Sequence, residues 1–470
     1  MSGSGVADSL SANKQSGAIQ NRAEMAQATA LKVLQQLRER GYTAYFVGGC
    51  VRDLLLGTLP QDYDIATSAH PEQVMSLFPN TIAVGAQFGV VIVVEGLDED
   101  NETKPIHVEV ATYRSDVGYS DGRHPDAVRY SEIAEEDVQR RDFTINGLLL
   151  DPLSSRVLDY AGGRSDLERK IIRTIGDPRQ RFREDKLRMM RAVRFAARLG
   201  YEIEPTTMTA IRERAREIHQ VSRERIRDEL DKMLTEGHAR QCFELLDATG
   251  QLVEVLPEVS ALKGVEQPPQ YHPEGDVWIH TLLLLGGLEK GCSKSLAWGV
   301  LLHDVGKPPT FRVAPDRIRF DQHAEVGTRM AEEICRRLRF PNDTTEQVSA
   351  LVANHMRFGD VKKMKESTLK RFMRLPAFQE HLELHRLDCS ASHRDLALYE
   401  FVREKLENTP EEEIRPSPLI TGKDLIARGW KPGPQFRTVL QAVEDAQLEG
   451  VLHTHEEAIS FVETNFAKQT

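Results

Sequence analysis

The residues of this 470-residue chain best placed to do chemistry are acids lying near a pair of glycines. Gly48-Gly49 opens the string Cys50-Val51-Arg52-Asp53-Leu54-Leu55-Leu56-Gly57, and Asp62-Tyr63-Asp64 follows it. Two glycines between a strand and a helix let backbone N–H groups come close to a phosphate. Asp62 and Asp64 are two apart, so on a strand their carboxylates leave the same face. Like charges that close repel unless a cation lies between them, which is how magnesium is held beside a triphosphate. A third acid, Glu109, sits between Val108 and Val110 in the run His107-Val108-Glu109-Val110-Ala111. The valines face a core and Glu109 faces away from it. Three carboxylates on neighbouring strands could hold two metal ions, one activating a hydroxyl and one stabilising a leaving pyrophosphate.

A second constellation lies in the later half. His280, His303-Asp304, His323, His355 and Asp388 recur along helical sequence, and Lys307 follows the His-Asp pair. Neutral imidazoles with carboxylates suit a divalent transition metal, nickel, manganese or similar. Lys307 is a candidate phosphate contact. Taken alone, a His-Asp dipeptide means nothing in a chain with 15 histidines; the series is what carries the reading.

The elements that must position these residues read as follows. Apolar residues at helical spacing make Ala23 to Arg40 an amphipathic helix. Tyr42 to Val47, Tyr63 to Ala66, Val90 to Val94 and Ile106 to Ala111 read as strands, with a helix over Cys50 to Leu56. Gly118 to Pro125 is a polar loop, and Asp142 to Leu150 begins either a helix or a strand. From Asp177 the pattern is almost wholly helical, interrupted by a linker at Pro268-Pro269 and His272-Pro273-Glu274-Gly275. With 40% hydrophobic and 28% charged residues the chain can bury several cores. No run approaches the roughly 18 apolar residues of a membrane helix. The Ser/Gly/Ala-rich start lacks the charged and apolar parts of a secretory signal. Five scattered cysteines, without Cys-x-x-Cys pairs, fit a reducing cytoplasm. The net charge is −11, yet Ala161 to Arg240 carries 20 Lys+Arg against 14 Asp+Glu. A basic stretch within an acidic chain is a candidate phosphate-backbone footprint.

The string G-G-C-V-R-D-L-L-L-G-x4-D-Y-D-I-A-T resembles the nucleotidyltransferase signature of the tRNA nucleotidyltransferase/poly(A) polymerase family. Arg140-Arg141-Asp142-Phe143-Thr144-Ile145-Asn146 resembles that family's second motif. Glu184-Asp185-Lys186-Leu187-Arg188-Met189-Met190-Arg191-Ala192 resembles its nucleotide-reading motif, and Tyr113 to Val128 its mobile loop. Gly147 departs from the family, which usually has Ala. The resemblance implies that Asp62, Asp64 and Glu109 are catalytic, with magnesium on the two aspartates. It implies nucleotide contacts from Gly48, Gly49, Arg52, Arg141, Asp142, Asn146, Asp185, Arg188, Arg191 and Arg194. Arg141 would grip the triphosphate and Asp142 the ribose hydroxyl. The histidine series resembles the HD phosphohydrolases, with His280, His303, Asp304, His355 and Asp388 as ligands of a second divalent metal. A nucleotidyltransferase head joined to an HD domain resembles one bacterial branch of the family.

The expectation is an α+β chain. A polymerase-beta-like head with a small mixed sheet of five strands precedes an all-helical neck, body and HD domain. Its parts are a disordered 1–22, a head over 23–160, a neck and body over 161–265, an HD domain over 266–400 and a helical tail over 401–470. The implied activity is template-independent addition of C, C and A to the 3′ end of tRNA from CTP and ATP, with no membrane partner and no assigned oligomeric state. An A-adding or CC-adding specialist and a poly(A) polymerase share the chemistry. Gly85-Ala86-Gln87-Phe88-Gly89-Val90 resembles the tRNA-type enzymes more than the polymerases. An HD phosphohydrolase with a nucleotide-sensing head, and a protein that only binds RNA, are the readings from other classes; the intact acids disfavour both. Base choice can be derived. Asp185 and Arg188, three apart in helical sequence, would project from one face. A carboxylate accepting from an exocyclic amino group, beside an arginine donating to a ring nitrogen, takes cytosine and adenine and rejects uracil and guanine. Glu184 would brace the arginine or a cap.

Overall fold

The computed structural model describes residues 4–85, 89–96, 105–117, 127–270 and 272–466. The chain forms two compact units, Met1–Glu229 with Leu245–Val255, and Leu230–Glu244 with Leu256–Thr470.

The first unit is built on a mixed sheet. Its strands are β1 (Ala44–Val47), β2 (Asp64–Thr67), β3 (Thr81–Gly85), β4 (Val90–Glu95) and β5 (Ile106–Thr112). After the separate hairpin of β6 (Arg114–Val117) and β7 (Ala127–Tyr130) come β8 (Leu149–Asp151) and β9 (Arg156–Leu158). The order across the sheet is β3-β4-β5-β2-β1-β8-β9. β2 and β5 run parallel and the other neighbours antiparallel. The sheet therefore has seven strands rather than five. β8 and β9 are three residues each, too short for alternation to show in sequence, and β8 is the strand alternative left open for Asp142 to Leu150.

One face of the sheet buries Phe46, Ile65, Val91, Val93, Val108 and Val110 with Ala30, Val33, Leu34 and Leu37 of the first helix. That helix spans Ser4–Glu39, so most of the expected disordered start is helical. Its alanines and the absence of proline from residues 4–39 give nothing to stop it. Of the expected mobile loop Tyr113 to Val128, the two ends pair as β6 and β7, while its residues 118–126, like 86–88 of the Gly85 to Val90 motif, lie outside the described residues.

The helical remainder of this unit includes Pro178–Glu184, Leu187–Leu199 and Pro205–Arg214. The stretch expected as one neck and body over 161–265 is shared between the units, the divide falling within the helix Arg223–Thr235. Asp231 explains this locally: it accepts from Trp298 Nε1 at 2.8 Å and pairs with Lys294 Nζ at 2.8 Å, both in the second unit.

The second unit is almost entirely helical. Val277–Gly286, Lys294–Leu302, His323–Arg337, Asn342–Asn354 and Phe378–Ala391 surround its histidines, and one antiparallel hairpin pairs Phe311–Val313 with Ile318–Phe320. A separate apolar cluster, including Leu425, Trp430, Val439, Val443 and Ile459, organises the tail. No helix among the described residues is long and apolar enough to cross a membrane.

Candidate active site and metal centre

In the sheet unit the acids converge as their strands dictate. Asp64 opens β2 directly opposite Glu109 of β5, and Val47 of β1 flanks it on the other side. Glu109 is exposed between buried Val108 and Val110, the alternation its sequence implies. Asp62 lies in the bend just before β2 and is exposed. Burial pushes the Asp64 carboxyl up to about 7; Glu109 and Asp62 add to the rise and Arg141 opposes it. An excess of negative charge on one sheet face fits a divalent cation with oxygen ligands. The trio is looser than the second site: among the described residues, groups of ligand atoms all within 4.8 Å of one another occur only in the helical unit.

Gly48 brings the phosphate end together. Its φ of 78° is natural only for glycine, and a Cβ there would lie 3.6 Å from Arg141 Nη1 and 3.7 Å from Asp64 Oδ2. Arg52 is buried, donating to Asn146 Oδ1 at 2.8 Å and to Asp53 Oδ1 at 2.8 Å. Asp142 accepts from Phe143 N and Asn146 Nδ2 on one oxygen, and from Arg191 Nε and Nη2 on the other. Burial would raise Asp142, but Arg191 outweighs it and holds the carboxyl down to about 2. Arg194 is turned into the core, 2.6 Å from Glu229.

Asp137, not singled out in the sequence, braces the two arginines of the candidate site. Wholly buried, it accepts from Arg140 on one oxygen (2.9 and 2.6 Å) and from Arg141 on the other (3.1 and 2.8 Å). The signal was available, since Asp137 stands three and four residues before the two arginines, the spacing of helical ion pairs.

The proposed base-reading pair does not share a helix. The helix Pro178–Glu184 stops at Asp185, whose backbone is extended, and the next begins at Leu187. Asp185 caps the break by accepting from Leu187 N, and its carboxylate takes Arg225 at 3.2 and 2.7 Å. Arg188 is held by Glu184 at 2.8 Å and by the carbonyls of Arg181 and Arg140. Asp185 and Arg188 do not project from one helical face, because the helix breaks between them. Each member is instead fixed separately, Asp185 by Arg225 and Arg188 by Glu184.

In the helical unit the histidine series closes into one cluster. His303, His323 and His355 each place Nδ1 against a backbone carbonyl, of Val300, Phe320 and Val352, at 2.7 to 2.8 Å. A carbonyl can only accept, so each Nδ1 carries the proton and each Nε2 lone pair points inward. Those Nε2 atoms lie 3.2, 3.8 and 3.8 Å from Asp304 carboxylate oxygens, and His323 and His355 Nε2 are 3.2 Å apart. His280 Nε2 is 3.1 Å from Asp388. Nε2 of His303 is buried without a hydrogen bond. Inward lone pairs around a buried carboxylate fit a divalent metal.

Glu274 and His272, expected to be linker, belong to this site. Glu274 receives His272 Nδ1 at 2.9 Å and His280 Nδ1 at 2.7 Å. Burial would lower His280, yet Asp388 and Glu274 raise it to about 9. Burial and the neighbouring His303 bring His355 down to about 4. Lys307 Nζ sits between Asp304 and Gln267, 2.6 Å from each. Gly306 makes the turn possible: a Cβ there would lie 2.1 Å from the His323 carbonyl.

Comparison with known proteins gives both units relatives. Residues 44–173 match the poly A polymerase head domain, 200–263 the family described as the probable RNA and SrmB-binding site of polymerase A, and 277–395 the HD domain. The CCA-adding enzyme of Geobacillus stearothermophilus is 47% identical over 221 residues, covering 47% of this chain and 52% of its own length. That of Lactobacillus helveticus is 42% identical over 270 residues, covering 56% of this chain and 65% of its own. The chain thus spans about half to two thirds of these curated relatives' length. A crystal structure of the Bacillus stearothermophilus CCA-adding enzyme in complex with CTP superposes with a TM-score of 0.69 at 29% identity, covering 93% of this chain and 96% of that one. The Thermotoga maritima CCA-adding enzyme complexed with tRNA, at 18% identity and TM-score 0.55, covers 95% and 98% and shares the fold.

Proposed function

We propose that this chain, which belongs to the tRNA nucleotidyltransferase/poly(A) polymerase family, adds CMP and AMP to the 3′ end of tRNA from CTP and ATP. The observation that carries the reading is Asp64 set opposite Glu109, with Asp62 beside it and the Gly48–Arg141 junction against its carboxylate. Oxygen ligands of this kind suit magnesium, which when bound would activate the tRNA hydroxyl and stabilise the departing pyrophosphate. Asp62 and Asp64 would hold it, with Glu109 as the third carboxylate.

The rest is the work of the chain's own residues. Asp137 fixes the Arg141 guanidinium in advance, so little is lost in ordering it on the triphosphate, and Gly48 leaves open the space a side chain would fill. Asp142 already accepts four hydrogen bonds. A ribose hydroxyl reaches it when Asn146 or the Arg191 fork yields one. Asp185 and Arg188 read the base as separately braced acceptor and donor. The test is incubation with tRNA lacking its terminus, magnesium and labelled CTP or ATP. CTP should label first and ATP only after the cytidines are in place; an RNA end that stays unlabelled refutes the proposal. Label from ATP alone, or repeated adenylation, would select the A-adding or poly(A) readings.

The inward Nε2 lone pairs around Asp304 support a second activity, hydrolysis of a phosphate ester at the HD site. His280, His303, Asp304, His355 and Asp388 would hold a divalent transition metal such as nickel or manganese, joined by His323, with Lys307 beside the phosphate. Metal-loaded protein should release phosphate from simple esters, and His303→Ala should remove that release.

A further inference from the structure

The histidine cluster opens into a cavity of about 410 Å³ whose lining is not what a bare phosphate requires. One side is ionic: Asp304, Asp388, His323, His355 and Lys307. Beside it the strand Ile318–Phe320 of the hairpin, Arg319 included, and Met356 complete the lining, where Ile318, Phe320 and Met356 are apolar. Met356 is 56% exposed although it lines this cavity. In the hairpin register Phe311 pairs with Phe320, Val313 with Ile318 and Arg312 with Arg319; of these Ile318, Arg319 and Phe320 line the cavity. Phe320 is locked beside the ionic side, its ring 5.4 Å from Lys307 Nζ and 6.4 Å from the His323 ring. Arg317 lines the same cavity, and the neighbouring Asp316 carboxylate is already paired with Arg319 at 2.8 Å. Asp321 also lines it, with its carboxylate on Arg312.

A cavity of this size, with apolar side chains in its lining and a few convergent polar groups, is built for an organic ligand. Inorganic phosphate would leave those side chains wet. We propose that the Phe311–Phe320 hairpin is the specificity element of the HD cavity, seating the nucleobase of a phosphate ester against Phe320, Ile318 and Met356 while the phosphate meets Lys307 and the metal cluster. The inference rests on the metal-site reading above. Phe320 adjoins both His323 and Lys307, so the base lies next to the phosphate, as in a mononucleotide unit. That unit has two sources, a free nucleotide or the last residue of an RNA ending in a 3′-phosphate. Arg317, at the hairpin tip, would contact the preceding phosphate of the RNA.

The test is binding, measured by calorimetry on manganese-loaded full chain carrying Asp62→Ala and Asp64→Ala to disable the sheet site. The probes are inorganic phosphate, guanosine 5′-monophosphate, whose base the sheet site should reject, and a short RNA with a 3′-phosphate. Stacking on an aromatic side chain predicts roughly 5- to 150-fold tighter binding of the nucleotide than of phosphate. Phe320→Ala and Met356→Ala should each erode that ratio, and Met356→Ala should do so with phosphate affinity, metal content and Tm unchanged. Arg317→Ala should weaken the RNA alone if RNA is the source. Equal affinity for nucleotide and phosphate, or a ratio untouched in both variants, overturns the hairpin's role. Loss of phosphate binding itself would overturn the metal-site reading, and the inference with it.

Discussion

The two candidate sites of this chain would hold cations by opposite means. The sheet site presents oxygen only, on an open face where Asp62 and Glu109 are exposed and where burial, with the neighbouring acids adding to it, raises Asp64 to about 7. The helical site is buried beside its cavity and mostly nitrogen, with three imidazoles oriented by backbone carbonyls around a buried Asp304. A sheet fixes its ligands through register, one residue from each neighbouring strand, and leaves room for a large triphosphate. A helical cluster fixes its ligands through second hydrogen bonds, and its geometry stays set without the ion. The first arrangement suits a hard ion shared with substrate, the second a resident metal of borderline softness.

The largest effect that would sharpen this contrast is at Asp64. Asp64→Ala should lower nucleotide addition by at least about 10³-fold, while metal bound by the helical unit, measured by elemental analysis, stays at the wild-type level. Coupled loss of both would merge the sites.

Next comes the brace. Asp137→Ala leaves two arginines facing a buried gap, and about 3–5 kcal/mol of stability should go with it, read by urea denaturation. Addition in the folded fraction should fall chiefly through KM for the triphosphate. Loss confined to kcat would mean that Arg141 is not held for the triphosphate.

Base choice should respond more gently. Asp185→Ala should lower the CTP-over-UTP and ATP-over-GTP ratios of kcat/KM by roughly 5- to 150-fold, at about 1–3 kcal/mol per mismatched contact. The magnesium requirement should not change. Arg225→Ala frees Asp185 from its brace and should blur the same ratios; unaltered ratios in both variants would remove Asp185 from the reading of the base.

The smallest effect concerns the basic neck. Much of its surplus is already spent in pairs, Glu213 with Arg179 and Glu217 with Arg214 among them. Arg216 and Arg183 are exposed, outside those pairs. Charge reversal at either should reduce the slope of log tRNA affinity against log salt by about one. A slope near zero in the unaltered chain would remove the neck from the RNA interface.

What was legible in the sequence followed from short-range rules. The alternation Val108-Glu109-Val110 placed Glu109 on the acid face, and the Gly48-Gly49 pair marked the close approach that Gly48 makes. The histidine series named most of the helical cluster. What was hidden depended on contacts distant in sequence or on a broken element. Asp185 and Arg188 looked like one helical face because nothing in Glu184-Asp185-Lys186 announces a stop. Arg225, forty residues further on, is what holds Asp185 there. Glu274 read as a linker because Pro273 and Gly275 flank it, yet that turn carries its carboxylate to His280. The strands β8 and β9 are too short to show a period.

On the proposed division of labour the sheet alone adds nucleotides and the helical cluster does separate work. Single-turnover addition by His303→Ala, on tRNA lacking its terminus, tests it most directly. Rates within about twofold of the unaltered chain, alongside loss of phosphate-ester hydrolysis, are the predicted result. Loss of nucleotide addition in a folded His303→Ala protein would contradict it.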